Sequence, residues 1–124
     1  MKSLVEVSRR VSAVSAGILI KKVQGFSPDL TVGLSDKSVQ TLVFSATEPF
    51  AAEFLQTRKA VTINKNPADV RFLSSRIDLE DIRYMKRILF IPAVFRSQDA
   101  FLFFSFSGET DIAINVMLSK LIVR

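Results

Sequence analysis

Few residues in this chain are equipped for chemistry, and they sit close together. Asp78, Glu80 and Asp81 form a carboxylate group that could hold a cation or do acid–base work. They stand at the start of an expected helix, where N-capping and the helix dipole already account for acids, so no catalytic role is assigned to them. The basic residues Arg71, Arg76, Arg83, Lys86, Arg87 and Arg96 follow nearby. If the helix runs from Leu79 to about Met85 and a little beyond, Arg83, Lys86 and Arg87 fall at i, i+3 and i+4 on one face. Such a face suits an acidic ligand or partner; the plainer account is a solvated face whose charge favours the helix end. Tyr84, the single tyrosine, stands among them and could present its hydroxyl to a ligand or lie at a core edge.

The absent residue types narrow the function further. There is no Cys, so there is no thiolate nucleophile, no zinc–thiolate site and no disulfide. There is no His, which removes the Ser-His-Asp triad, the commonest metal ligand and the usual proton shuttle. The glycines, at 17, 25, 33 and 108, are too scattered for a phosphate-cradling loop. The chain is expected to be no enzyme, with no catalytic residue, no metal and no cofactor.

Its length of 124 residues sets a single domain spanning 1–124. Apolar residues make up 48% and charged residues 23%, which suits a folded globule. The net charge of +5 permits an acidic partner. Nucleic acid is not expected, because basic residues are not interleaved with stacking aromatics. The apolar run Val11–Ile20 follows Arg9-Arg10 but ends at Lys21-Lys22, well short of the about 20 residues of a membrane span. Glu6 argues against a secretory signal. No membrane span and a cytoplasmic location are expected.

The elements that must position these residues follow from periodicity. Leu4, Val7, Val11 and Val14 recur at helical spacing. Ala16–Val23 reads as a strand, Gly25–Asp29 as a turn and Leu30–Leu34 as a second strand. A helix starts at Ser35-Asp36, and another runs from Glu48-Pro49 to about Thr57, with proline in its first turn. Ala60–Ile63 is a short strand, Asn64–Pro67 a loop, and Asp78 the N-cap of the helix to Met85. Ile88–Phe95 and Phe101–Phe106 are continuous apolar runs, expected as strands covered on both faces and joined by the polar loop Arg96–Ala100. Pro92 should sit at an edge or bulge. Phe101 and Phe103 should share one face, and Leu102, Phe104 and Phe106 the other. Ile114, Met117, Leu118, Leu121 and Ile122 mark a last amphipathic helix. The sum is α+β: a mostly antiparallel sheet of about five strands, with the N- and C-terminal helices on one face.

In this order and spacing the chain resembles a GAF domain over nearly its whole length. The resemblance is carried by Gly17–Ile20, by Leu30–Ser35, and by Glu48-Pro49-Phe50 through Arg58-Lys59-Ala60-Val61-Thr62-Ile63. Ile88–Val94 with its internal proline, the Phe-rich partner strand and the final helix complete it. It implies a regulatory or sensor domain with a pocket between the sheet and Ala68–Met85. Arg83, Tyr84, Arg87, Phe90 and Phe104 are the ligand-binding residues on that reading. It also implies a homodimer through the terminal helices, at Leu4, Val7, Val11, Ile114, Leu118 and Leu121. The cyclic-nucleotide signature of similar proteins fails here after Asn64-Lys65, and the cysteines and histidine that bilin, sulfoxide and haem chemistry need are absent. The alternative is a roadblock- or profilin-like, or degenerate GAF-like, scaffold that pairs with other proteins and takes no ligand.

Overall fold

A computed structural model of the chain describes residues 4–10, 13–23, 25–95 and 97–107. The chain begins with α1 (Leu4–Arg10), β1 (Ser15–Lys22) and β2 (Gly25–Val32), then α2 (Asp36–Thr41), α3 (Pro49–Thr57) and β3 (Val61–Ile63). A 3-10 turn at Pro67–Asp69 leads to α4 (Arg71–Ser74) and α5 (Leu79–Ile82), and β4 (Arg87–Phe95) and β5 (Gln98–Phe106) follow. The strands form one sheet in the order β2-β1-β5-β4-β3, each neighbour antiparallel to the next. This is the expected α+β plan.

The two continuous apolar runs became adjacent strands, but only one is covered along its whole run: β4 is buried from Ile88 to Ile91, while Pro92–Phe95, past the end of β3, are half-buried or exposed, against the expectation of cover on both faces. β5 lies at the sheet's centre and is buried from Ala100 to Phe106. Phe101 and Phe103 enter one core layer; Leu102, Phe104 and Phe106 enter the layer on the opposite face. The first layer is roofed by the chain between β2 and β4, which contributes Leu42, Phe44, Ala51, Phe54, Leu73, Ile77, Ile82 and Met85. On the second face β1, β4 and β5 supply Ile18, Ile20, Leu89 and Ile91 around the Phe104 ring. α1 packs against β1.

Phe101 is the hub of the first layer. Its ring meets those of Phe26, Phe44, Phe50, Phe54 and Phe90 at centroid separations of 4.9, 5.8, 6.1, 5.4 and 5.7 Å. Tilted and edge-on pairs of this kind add about 0.5–1.5 kcal/mol each beyond burial. Two glycines let the layer close. Gly17 pairs with Phe103 across β1 and β5, and a Cβ there would overlap the Phe103 ring. Gly25, at φ 138°, brings the backbone against Phe44, so that Phe26 N–H donates to Phe44 O at 2.7 Å and Phe44 N–H donates back at 3.0 Å.

Several expected boundaries moved. β2 starts at Gly25, because Pro28 and Asp29 lie in the strand and not in a turn. Leu30 pairs with Ile18 and Pro28 with Leu19, so Asp29 is bulged out of register on an edge strand, where proline is tolerated. β5 starts at Gln98, and pairing reaches Phe95–Gln98, so polar residues read as loop extend the hairpin into solvent. Pro92 lies past the end of β3, whose pairing with β4 stops at Phe90, which meets the expectation of an edge position. The helix at Leu79 stops at Ile82, not Met85, because Met85 turns into the core and Lys86 N–H donates to Phe106 O at 2.7 Å. Arg83, Lys86 and Arg87 therefore do not share a helix face: Arg87 opens β4. Of the residues expected at a dimer interface, Leu4 and Val7 lie in α1. Val11, Ile114, Leu118 and Leu121, with the expected last helix, lie outside the described residues.

Phe101→Ala should cost about 3–5 kcal/mol in urea unfolding, since it removes the ring that five others pack against. Gly17→Ala should cost about 1–3 kcal/mol by forcing Phe103 off its rotamer. Val94→Ala, on an exposed position of β4, should change stability by less than about 0.5 kcal/mol.

Candidate functional site

The space between the sheet and the 68–85 segment is filled by side chains. Phe50 stacks on Phe72 at 4.9 Å and meets Phe90 edge-on at 4.9 Å, closing the volume from the α3 and α4 sides. What remains beside Phe44, Leu73 and Phe101 is about 10 Å³, lined by apolar side chains alone. That is at most the room of about one water, with no polar group to hold it.

Two polar clasps fix the roof over this layer. Arg76 extends from the end of α4 and lies over the Phe44 ring at 4.7 Å. Its guanidinium donates to Val43 O and Phe72 O, each at 2.8 Å, and pairs with the Glu48 carboxylate. Thr41 Oγ1 donates to the Arg76 carbonyl. In the second clasp, Asp81 accepts from Ser35 N–H at 3.1 Å, from Ser35 Oγ at 2.7 Å and from Ser38 Oγ. Ser38 is fully buried and its Oγ accepts the Asp78 N–H at 2.9 Å. Partial burial disfavours the Asp81 charge, but the hydrogen bonds from Ser38 and Ser35 outweigh it and hold the carboxyl below its ordinary range. Asp78, expected to cap α5, makes no side-chain cap; its carboxylate lies 3.5 Å from Lys37.

The five expected ligand-binding residues do not converge. Arg83 and Tyr84 meet each other at the surface: the guanidinium lies 4.7 Å over the ring and donates to the Tyr84 hydroxyl at 2.8 Å, with Glu80 at 3.2 Å. Tyr84 is more than half exposed. Phe90 is buried in the aromatic layer, while Phe104 is buried on the far face of the sheet. Arg87 sits half-buried at the start of β4 and has an interaction of its own. A single pocket cannot use Phe90 and Phe104 together, since the sheet separates them.

Sequence reasoning passed over two features. Arg76 was one cation among six; that it sits between Leu73 and Ile77, both buried, was the available signal for a clasp. The second is a notch of about 590 Å³ where the two hairpins end side by side, lined by Lys21, Lys22, Val23, Gln98 and Asp99. Beside it Arg58, at the end of α3, reaches the Asp99 carboxylate at 2.6 Å. This hydrogen bond holds the Asp99 carboxyl below its ordinary range. Nothing in the local sequence links residues so far apart.

Asp81→Asn should destabilise the domain by about 1–3 kcal/mol at pH 7, because the buried Ser38 hydroxyl loses its charged acceptor. A carboxyl lowered by folding contributes stability above its unfolded value, and that contribution is lost as pH falls through the folded one. Chemical denaturation from pH 7 to pH 3 should therefore show wild type and Asp81→Asn converging below about pH 4.

No family model and no curated protein matches the sequence. Solved structures do match its fold. The GAF domain of an Acinetobacter phosphoenolpyruvate-protein phosphotransferase superposes with a TM-score of 0.70 at 16% identity, over 95% of this chain and 72% of that one. A GAF domain/HD domain protein from Geobacter sulfurreducens gives 0.65 at 13% identity, over 95% and 83%. A type II free methionine-R-sulfoxide reductase from Thermoplasma acidophilum gives 0.63 at 8% identity, over 94% and 84%. At these identities the likeness is one of fold, and this chain has the fold of the GAF domain.

Proposed function

We propose that the chain is a non-enzymatic regulatory domain that works through contact with other proteins, including a second copy of itself, and not by enclosing a small ligand. The observation that carries this reading is the aromatic layer beneath the 68–85 segment. Where a sensor of this fold would need an open, partly polar pocket, Phe50, Phe72, Phe90 and Phe101 pack ring on ring and leave about 10 Å³. Ligand sites typically enclose about 300–1,000 Å³ with a few placed polar groups. A small molecule would have to drive Phe50 and Phe72 outward and break the Arg76 clasp before it found any polar partner.

The reductase of similar fold does not bring its activity to this chain. The sequence holds no Cys and no His, so thiol and imidazole chemistry have no carrier. Dimerisation at Leu4, Val7, Val11, Ile114, Leu118 and Leu121 belongs to the proposal and is supported by the helical apolar spacing of the sequence at the two ends of the chain. A cytoplasmic setting is part of the same reading; among the described residues no helix is long and apolar enough to cross a membrane.

Native mass spectrometry of the gently purified chain should give a dimer with no retained small molecule. Leu118→Asp should shift it to monomer while circular dichroism keeps the folded spectrum. A stoichiometric small molecule on the wild-type protein would overturn the contact reading in favour of a sensor.

A further inference from the structure

The end of the sheet where both hairpins turn carries a concentrated charge that neither the fold nor the clasps require. β1 and β5 are antiparallel neighbours paired up to Ile20–Ala100, so Lys21 and Lys22 at the end of β1 come beside Asp99 and Gln98 at the start of β5. Arg58 arrives from the end of α3. Among the described residues of this group there are three cations and one carboxylate, and Arg58 already engages that carboxylate at 2.6 Å. Lys21 and Lys22 remain exposed, and Val23 beside them is fully exposed. Between the hairpin ends lies the notch, an open and shallow depression of about 590 Å³ that a bound segment could cross without being enclosed.

We propose that this notch docks an extended acidic segment of a partner protein, its carboxylates meeting Lys21 and Lys22 and an apolar side chain between them meeting Val23. The inference rests on the protein-contact reading above and names the surface and the chemistry of the partner. Charge complementarity selects an acidic occupant: cations outnumber carboxylates here, with Asp99 already engaged by Arg58 and facing Lys21. A bilayer would reach Val23 at the tip and leave Gln98 and Asp99 between the hairpins unused. Gln98 in the wall offers both a donor and an acceptor to a peptide backbone. Among the described residues no aromatic ring lines the notch, so the base-stacking that single-stranded nucleic acid uses has no platform there.

The test is fluorescence anisotropy of the full chain with a short fluorescein-labelled peptide rich in Asp and Glu around a central Leu. The peptide should bind, and binding should weaken as salt is raised. Lys21→Glu with Lys22→Glu should weaken it by about tenfold or more. Lys65→Glu with Lys86→Glu, the same charge change at exposed positions towards the opposite end of the sheet, should leave binding within about twofold. Equal loss in both double variants would reduce the effect to net charge and overturn the proposal. So would binding to phosphatidylserine vesicles without binding to the peptide. Circular dichroism of each variant excludes misfolding as the cause. If the peptide does not bind and the native protein carries no small molecule, this surface is wrong and the contact reading stands; a retained small molecule removes the contact reading itself.

Discussion

Burial of the Phe101 ring is the constraint on which the other contacts of this domain depend. The ring is fully buried at the centre of the sheet and touches aromatic partners from β2, β4, α3 and the α2–α3 connection. Each element that contributes a ring must approach the sheet to within ring-contact distance. That requirement explains Gly25 against the Phe44 carbonyl and the short backbone bridge between Phe26 and Phe44. It also explains why a sequence with 11 Phe and no Trp makes a stable core in a small domain: one ring size tiles the layer. A fully buried Phe contributes about 2–3 kcal/mol before the ring–ring terms.

The roof over this layer is made of very short helices that could not persist alone. Its hydrophobic residues hold it down, and the Arg76 and Asp81 clasps fix where it sits. Both clasps join segments distant in sequence: Arg76 ties α4 to Val43 and Glu48, and Asp81 ties α5 to the start of α2. Placing charged groups there gives the roof one position, because a shift of either helix would strand a partly buried charge or the buried Ser38 hydroxyl. A roof held in this way favours a fixed outer surface over an opening pocket, and that connects the packing to a function of contact.

Much of this was legible in the sequence, for physical reasons. The runs Ile88–Phe95 and Phe101–Phe106 are continuously apolar and form the two strands of the β4–β5 hairpin, with Ile88–Ile91 and Phe101–Phe106 buried and only the Pro92–Phe95 end reaching solvent. Alternation along β5 assigned Phe101 and Phe103 to one layer and Phe104 to the other, as observed. Proline at the start of α3 marked its first turn. What failed depended on tertiary geometry. Pro28 and Asp29 read as a turn because their local preference is for turns; an edge position with a bulge overrides it. The helix carrying Arg83 was extended too far because periodicity does not register the pull of Met85 into the core. Phe90 and Phe104 were assigned to one site because ring count does not reveal which face of a sheet a ring takes once a second strand sets the register. Arg76 and the Lys21–Asp99 neighbourhood were missed because their partners are far away along the chain.

A function of contact requires that the interior beneath the 68–85 segment be closed by side chains. Xenon uptake tests it most directly, since xenon enters dry apolar cavities of sufficient size. Xenon-129 NMR of the wild-type chain should show only weak, non-saturating shifts, while Phe72→Ala, which removes one ring of the stack, should show a saturable site. A saturable xenon site in the wild-type interior would show an open apolar cavity where four rings should be packed together, and the interior would not be closed.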